Sequence, residues 1–179
     1  FDKNISALLR KVFKKINIIN LFEGDKLNKK IDLLVISGGN DILKFSRKEN
    51  DYIRYQFTKK IFNHSKKKGI PIIGICYGAQ FVADYFNSTF VKKKKIGIHY
   101  IILNKNNFIK SNKKRISNNS YKNILIKKVP KFFDIIAKSK DNYVEAFYIK
   151  KINFLGLQWH PERNKNLKKF DIRLLKKLI

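Results

Sequence analysis

Two short apolar runs, each followed at once by a glycine-containing segment, constrain the fold of this chain more than any other feature. Residues 31 to 36 (IDLLVI) stop at the turn SGGND, residues 37 to 41, and residues 70 to 75 (IPIIGI) stop at Cys76. Uninterrupted apolar runs of this length are typical of strands buried on both faces, as in a parallel sheet. The sequence therefore predicts an α/β fold in which two buried strands each end in a turn.

Predicted helices and strands also alternate along the rest of the chain. Apolar residues at helical spacing predict helices over residues 4 to 15, 49 to 67, 78 to 86 and 167 to 179. Apolar runs predict further strands over residues 16 to 21, 98 to 103, 124 to 126, 143 to 149 and 152 to 158. We expect a single domain, residues 1 to 179, with a largely parallel central sheet that binds ligands at the carboxyl ends of its strands.

The composition is typical of a folded, water-soluble protein. The 179 residues are 44% hydrophobic, and no stretch reaches the roughly 18 consecutive apolar residues that span a bilayer. The single cysteine cannot form a disulfide within the chain, so nothing favours an oxidising compartment. We therefore expect a cytoplasmic protein that does not insert into a membrane.

The formal net charge of +28 raises nucleic acid or an anionic surface as a partner. The basic residues are spread over the chain in short lysine runs, together with many Asn, Ile and Phe residues. This spread favours the codon usage of an A/T-rich genome as the origin of the charge, rather than a nucleic-acid-binding surface. No zinc-finger spacing or other nucleic-acid motif accompanies the charge. We expect no nucleic-acid partner. A basic binding protein without catalytic activity is the alternative from another functional class.

Cys76 lies on a tight strand-to-helix turn with glycines on both sides, within the sequence GICYGAQ of residues 74 to 80. The glycines let the backbone bend sharply and pack closely, as in a nucleophile elbow. A thiol at the start of a helix is favoured as the reactive thiolate by the helix dipole and by free N–H groups. The alternative is a buried cysteine that acts as a small apolar side chain. The glycine framing favours the nucleophile.

A cysteine nucleophile needs a base, and His160 directly follows a predicted strand, with Glu162 two residues further on. In a catalytic triad the base takes the proton of the nucleophile and later gives one to the leaving amine, while the acid orients the imidazole. We predict this triad for Cys76, His160 and Glu162, with no cofactor and no metal ion. His64 is interpreted as a solvated side chain and His99 as a structural one, although His99 could also contact substrate.

The turn SGGND gives the predicted site a second chemical element. Hydrolysis of an amide passes through a tetrahedral intermediate whose oxyanion needs hydrogen-bond donors. We predict that the backbone N–H groups of Gly39 and Tyr77 are these donors, since glycine permits the close approach that such a contact requires. Taken alone, a Gly-Gly pair after a strand would be only a turn.

The three motifs together resemble the class I glutamine amidotransferase superfamily, and the resemblance extends over residues 1 to 179. They are SGG at residues 37 to 39, G-x-C-x-G-x-Q at residues 74 to 80 and W-H-P-E at residues 159 to 162. The resemblance implies a flavodoxin-like three-layer α/β sandwich. It also implies that the cysteine forms a γ-glutamyl thioester, which water then hydrolyses to glutamate.

The resemblance extends to substrate-binding residues and to a branch of the superfamily. It implies that Gln80, Asn119 and Ser120 hold the α-amino and carboxylate groups of the glutamyl moiety and that Gly38 contacts the substrate. The stretches ISGGND and NSY resemble the γ-glutamyl hydrolase branch. ISGGND, GICYGAQFVADYFNS and WHPER are further similar to the γ-glutamyl-CDP-amidate hydrolases of capsule phosphoramidate biosynthesis.

Three features depart from the family pattern. Many members carry Arg where this chain has Tyr77, and His where it has Lys122, and both changes could alter recognition of the leaving group. Members also begin with a strand ahead of the first helix, whereas this sequence starts where that helix is expected. We therefore expect the natural N-terminal strand to be lacking.

The predicted activity is that of a stand-alone cysteine hydrolase acting on a small-molecule γ-glutamyl amide. The alternative is a glutaminase subunit that supplies ammonia to a separate synthetase partner. We expect the leaving group to lie against loops at residues 41 to 50 and 97 to 122, whose donors suit a phosphate better than the plain amide of glutamine. These donors are Lys44, Arg47, His99, Lys105, Lys110, Lys113, Lys114, Arg115 and Lys122. A solvated basic surface is the alternative interpretation.

Overall fold

The helices lie where the sequence predicts them. The computed structural model describes residues 3–22, 25, 30–39, 41–105, 108–109 and 114–179. Its α-helices are α1 (Lys3–Val12), α2 (Glu49–Lys67), α3 (Tyr77–Tyr85) and α4 (Lys169–Lys177), and short 3₁₀ turns cover Leu43–Phe45, Lys150–Ile152 and Pro161–Arg163. In the described parts of the chain, no helix combines the length and apolar character needed to cross a bilayer. The four predicted helices are confirmed.

The strands differ more from the prediction. They are β1 (Leu34–Ile36), β2 (Ile72–Ile75), β3 (Thr89–Leu103), β4 (Arg115–Lys128), β5 (Asp134–Ser139), β6 (Val144–Ile149) and β7 (Phe154–Leu157). The short strands predicted at residues 98 to 103 and 124 to 126 are parts of the much longer β3 and β4. Strand β5 was not predicted. The strand predicted at residues 16 to 21 is wrong: within the described part of the chain no strand pairs with this segment, and Ile16 and Ile18 instead pack against the core.

The sheet is only partly parallel, which corrects the prediction of a largely parallel one. The strand order is β1-β2-β7-β6-β4-β3-β5, and β5 also pairs with β6. Among the described residues, β1 with β2 and β2 with β7 are the parallel pairs. Strands β3 to β6 pair antiparallel and close on one another as a small barrel. Strands β3 and β4 form a hairpin rather than a helical crossover, and a hairpin places its strands antiparallel.

Two apolar cores cover the two faces of the parallel strands. Helices α1 and α4 pack on one face, where Leu8 and Leu174 join a cluster with Leu155 of β7. Helices α2 and α3 pack on the other, where Phe62 lies edge-on to Phe81 with ring centroids 5.7 Å apart. Helices thus cover both faces of the parallel strands, whereas the antiparallel barrel of β3 to β6 departs from the three-layer sandwich that the family resemblance implies. The carboxyl ends of β1, β2 and β7 meet at one edge of the sheet, and the site described below lies there.

Candidate active site

The backbone turns sharply at Cys76, between the end of β2 and the start of α3. Its dihedral angles, φ 48° and ψ −98°, lie outside the regions that residues with a side chain normally adopt. Such strain persists only where surrounding contacts hold it, and it clusters at functional sites. Here the Cys76 N–H donates to Leu157 O of β7 (2.7 Å), and the Cys76 carbonyl accepts from the Gln80 N–H (3.0 Å). The elbow is therefore fixed from both sides.

The two glycines that flank Cys76 allow α3 to approach the sheet closely. A Cβ atom on Gly78 would lie 2.3 Å from the carbonyl oxygen of Ile36 in β1. A Cβ atom on Gly74 would lie 2.6 Å from Phe154 Cζ and 2.7 Å from the backbone of Gly78. Neither position can accept a side chain without moving its neighbours. The glycine framing noted in the sequence thus has a steric cause.

His160 follows the end of β7, at the same edge of the sheet as Cys76. In the parallel pairing of β2 with β7, Ile75 lies opposite Leu157, so the residues that follow both strands are brought together. The Nδ1 atom of His160 lies 2.6 Å from Glu162 Oε1, and both side chains are buried. The geometry fixes the imidazole through the carboxylate and leaves Nε2 for another partner.

The charge of His160 depends on Cys76 and Glu162. Burial disfavours the imidazolium and is the largest single influence, but the hydrogen bonds and charges of Cys76 and Glu162 together outweigh it and raise the pKa of His160 to about 9. Among the described residues, Nε2 makes no hydrogen bond that meets the distance and angle limits, although Cys76 lies near enough to raise the pKa of the imidazole.

Asn119 holds the backbone of His160 in place. Its Nδ2 donates to His160 O (2.7 Å) and to Asn164 Oδ1 (2.9 Å), and its Oδ1 accepts from the His160 N–H (2.8 Å). Both polar atoms of the side chain are thus engaged within the protein. In the structure the Asn119 side chain holds the backbone of His160, and the substrate-binding role that the family resemblance implies for it stays a prediction.

The SGG turn lies against the Cys76–His160 pair. A Cβ atom on Gly38 would lie 2.8 Å from His160 Cε1 and 3.7 Å from Cys76 Cβ, so only glycine leaves this space open. Arg54 of α2 clamps the turn, since its Nη2 donates to Gly38 O (2.8 Å) and its guanidinium lies 4.1 Å from the centre of the Tyr77 ring. No sequence motif indicates this contact of Arg54, because the residue lies in the middle of a long polar helix.

The predicted oxyanion donors lie on the two segments that border Cys76. Tyr77 is the first residue of α3, where backbone N–H groups have no partner within the helix. Gly39 follows Gly38 in the SGG turn, and Arg54 packs so closely on it that a Cβ atom would lie 1.5 Å from Nη1. Asn40 lies outside the described residues. The roles of Gly39 and Tyr77 as donors stay predictions.

Two other predicted substrate-binding residues differ in how their side chains are satisfied. The Gln80 amide nitrogen donates to Ile124 O (3.0 Å) and to Gln158 Oε1 (3.4 Å), so it connects α3 with β4 and with the end of β7. Ser120 is fully buried, and its Oγ has no partner among the described residues. The roles of Gln80 and Ser120 in substrate binding stay predictions.

Sequence reasoning passed over a fully buried carboxylate, that of Glu145 in β6. Glu145 Oε2 lies 2.5 Å from Lys122 Nζ, while Oε1 lies 3.4 Å from Lys95 Nζ and 3.3 Å from His99 Nε2. Burial raises the pKa of Glu145 most strongly, but the Lys122 charge and the His99 and Lys122 hydrogen bonds outweigh it and lower the pKa to about 2. The sequence feature that indicates such a site is the single glutamate in the apolar run YVEAFYI, because a carboxylate buried in an apolar strand needs a cation as its partner.

The basic residues predicted to surround a leaving group do not converge on one loop. Residues 97 to 122 belong largely to the paired strands β3 and β4 rather than to a loop. His99 and Lys122 point to Glu145, and Arg115 lies over the Tyr100 ring at 4.2 Å. Lys44, Arg47, Lys105, Lys114 and Arg115 are exposed, and Lys110 and Lys113 lie outside the described residues.

Comparison with known proteins matches this chain to a family and to individual relatives. The profile of the family Glutamine amidotransferase class-I matches residues 1–178. Over 143 residues the chain is 34% identical to Gamma-glutamyl-CDP-amidate hydrolase of Campylobacter jejuni, a match that covers 79% of this chain and 68% of that protein. Over 107 residues it is 28% identical to a subunit of the glutamine-hydrolysing GMP synthase of Pyrococcus furiosus, a match that covers 58% of this chain and 57% of that one. The family resemblance inferred from the motifs is confirmed.

Solved structures give the same fold. A protein described as a GMP synthase subunit from Thermoplasma acidophilum superposes with a TM-score of 0.76 at 24% identity, over 99% of this chain and 86% of that one. A glutamine amidotransferase from Thermotoga maritima superposes with a TM-score of 0.68 at 20% identity, over 88% of this chain and 69% of that one. At these identities the likeness concerns the fold alone.

Proposed function

The chain belongs to the glutamine amidotransferase class-I family, and from this premise we propose that it hydrolyses the amide bond of a γ-glutamyl compound with Cys76 as nucleophile. Because the family consists of enzymes, the prediction that this chain is an enzyme is confirmed. One observation carries the finer proposal. His160 lies between the Cys76 thiol, on its strained elbow, and the Glu162 carboxylate 2.6 Å from Nδ1.

The proposed reaction has two halves. The Cys76 thiolate attacks the γ-carbonyl carbon, and the backbone N–H groups of Gly39 and Tyr77 bind the oxyanion that forms. The C–N bond then breaks, the imidazolium of His160 protonates the leaving amine, and a glutamyl thioester remains. In the second half His160 takes a proton from water, the hydroxide attacks the thioester, and glutamate leaves as Cys76 is regenerated. Glu162 orients His160 throughout.

We further propose that the substrate carries a phosphate, such as a γ-glutamyl nucleotide amidate. The likeness to a protein named Gamma-glutamyl-CDP-amidate hydrolase supports this choice, at 34% identity. The formal net charge of +28 supports it as well, because such a charge attracts anionic ligands. This substrate would give the protein a role in capsule biosynthesis and a cytoplasmic location.

The second candidate function is that of a glutaminase subunit supplying ammonia to a synthetase. The likeness to the Pyrococcus furiosus protein favours it, since that protein is one part of a glutamine-hydrolysing synthase. This chain is also 26% identical over 142 residues to the GMP synthase of Anaplasma marginale, of which the match covers 26%. Hydrolysis by the isolated chain favours the stand-alone hydrolase, and hydrolysis only with a synthetase present favours the ammonia-supplying role.

The test is glutamate release by the isolated protein from three kinds of compound at low salt. They are glutamine, a γ-glutamyl amine and γ-glutamyl-CDP-amidate. We expect the highest kcat/KM for the nucleotide amidate, with an advantage that shrinks as salt rises. Equal kcat/KM for glutamine and the amidate would mean that the basic residues do not select the substrate.

A further inference from the structure

Tyr121 of β4 is a half-exposed aromatic side chain that packs against His160. The two rings meet edge to face, with centroids 5.8 Å apart and an interplanar angle of 76°. Tyr121 is 46% exposed, whereas His160 is buried. The reaction proposed above gives Tyr121 no role. Its ring nevertheless places apolar surface that a ligand can contact beside the group that exchanges protons with the substrate.

Arg163 reaches the same ring from the 3₁₀ turn that follows His160. Its guanidinium carbon lies 5.0 Å from the centre of the Tyr121 ring, over the ring face. Its Nε lies 3.8 Å from Glu162 Oε1, which is beyond hydrogen-bond length, and that oxygen already bonds to His160 at 2.6 Å. The Arg163 side chain is 43% exposed. Because a guanidinium has five N–H donors, Arg163 can bind an anion that comes from solvent.

The strand pairing places a second apolar side chain next to Tyr121. Ile96 of β3 lies directly opposite Tyr121 in the antiparallel pair of β3 with β4. Residues that lie directly opposite each other project from the same face of a sheet and are neighbours there. Ile96 is 61% exposed. Tyr121 and Ile96 thus form a small exposed apolar patch, and the cationic group of Arg163 borders it.

The chemistry of the proposed reaction brings the leaving group to this region. His160 must lie within hydrogen-bond reach of the leaving nitrogen in order to protonate it. The group that this nitrogen carries can therefore reach the side chains that border the imidazole, of which Tyr121 is one. Ammonia, released from glutamine, is too small to use such contacts. A nucleotide can use an arginine for its phosphate and an aromatic ring for its base.

We propose that Tyr121, Ile96 and Arg163 form a subsite for a nucleotide leaving group, with a phosphate on Arg163 and the base against Tyr121 and Ile96. This inference deepens the proposed function and rests on it, since that reaction defines the leaving group. The planar fork of an arginine matches the oxygens of a phosphate with two parallel N–H bonds. The subsite selects among γ-glutamyl compounds by what they release, and it takes no part in breaking the bond.

The first experiment measures binding of two probes by calorimetry: CDP, an analogue of the released nucleotide, and inorganic pyrophosphate. We expect Arg163→Met to weaken binding of both probes at least about tenfold, as loss of a charge-assisted hydrogen bond does. Tyr121→Leu should weaken binding of CDP at least about fivefold and leave pyrophosphate binding unchanged, because pyrophosphate has no base to stack. Tyr121→Phe keeps the ring and should bind CDP as wild type does.

Two matched controls lie on the same pair of strands. Tyr100→Leu removes another exposed tyrosine of this hairpin, which also lies beneath an arginine, with the guanidinium carbon of Arg115 4.2 Å from its ring centre. Lys127→Met removes an exposed positive charge from β4. Both controls should bind CDP as wild type does. Equal weakening by Lys127→Met and Arg163→Met would mean that net charge, rather than a subsite, attracts the nucleotide.

A second experiment separates leaving-group binding from mere support of His160. Arg163→Met and Tyr121→Leu should lower kcat/KM for γ-glutamyl-CDP-amidate at least about tenfold and leave kcat/KM for glutamine within about twofold of wild type. Equal losses on both substrates would mean that these side chains only hold the histidine, and would overturn the inference. Both variants keep Cys76, His160 and Glu162, and near-ultraviolet circular dichroism checks that each is folded.

The inference is also overturned if CDP does not bind the wild-type protein, or if it binds the folded Arg163→Met and Tyr121→Leu variants as tightly as wild type. CDP binding needs no turnover. Failure of the proposed function therefore appears separately, as absence of glutamate release from every γ-glutamyl compound by the wild-type protein.

Discussion

At the scale of single residues, the site is a chain of contacts from Glu162 through His160 to Cys76. The 2.6 Å contact between His160 and Glu162 is fixed on the backbone side by Asn119, which bonds to both the N–H and the carbonyl of His160. Sequence motifs led to these three residues because the motifs are local patterns. Arg54 and Lys122 were not predicted in these positions, because their contacts depend on how distant strands and helices meet.

We predict that the triad members differ in importance. His160→Ala should reduce kcat by at least about tenfold more than Glu162→Gln, because the proton shuttle is more essential than the group that orients it. Single-turnover release of glutamate from a γ-glutamyl compound measures both variants. A more damaging Glu162→Gln would assign a different role to the carboxylate.

The raised pKa of His160 also predicts how stability changes with pH. The folded protein holds the proton of His160 to about pH 9, whereas a histidine in the unfolded chain loses it near 6.5. The resulting stabilisation is complete below about 6.5 and is lost as the pH rises through 9. Urea unfolding of wild type and His160→Gln between pH 6 and 10 tests this. The advantage of wild type should shrink over that range, and a constant difference would contradict the assignment.

At the scale of elements, the elbow depends on how closely α3 approaches β1 and β7. Gly78→Ala would place a Cβ atom 2.3 Å from Ile36 O, a backbone atom that cannot move alone. We predict a loss of about 1–3 kcal/mol in the free energy of unfolding and slower alkylation of Cys76. The control is Gly69→Ala, where no atom lies within 4 Å but φ is 67°. If both variants alkylate Cys76 at the same rate, the close approach does not position the thiol.

The elements show where sequence reasoning works and where it fails. The four helices and the buried strands β1, β2 and β7 were predicted, because each has a local period or an uninterrupted apolar run. Strands β3 and β4 were underestimated, because β3 carries the exposed run Lys92 to Lys94 and β4 begins with polar residues. Closure of β3 to β6 into a barrel depends on long-range pairing, for which the chain has no local signal.

At the scale of the whole molecule, a class I glutamine amidotransferase fold carries an unusually high positive charge. That residues 1 to 179 form a single domain stays a prediction. The charge of +28 is the basis of the alternative function, that of a nucleic-acid-binding protein. We predict weak binding to duplex DNA in filter assays, with little dependence of log K on log salt, because dispersed lysines do not neutralise a row of phosphates. A steep fall of log K with log salt, together with tight binding at low salt, would favour the nucleic-acid-binding alternative.

The most direct test of the account is glutamate release by wild type and Cys76→Ala, assayed side by side on γ-glutamyl-CDP-amidate and on glutamine, with intact-mass spectrometry of the protein during turnover. We predict that wild type releases glutamate and carries a glutamyl adduct on Cys76, while folded Cys76→Ala does neither, because no other cysteine can replace it. Glutamate release by Cys76→Ala at the wild-type rate would contradict the central claim.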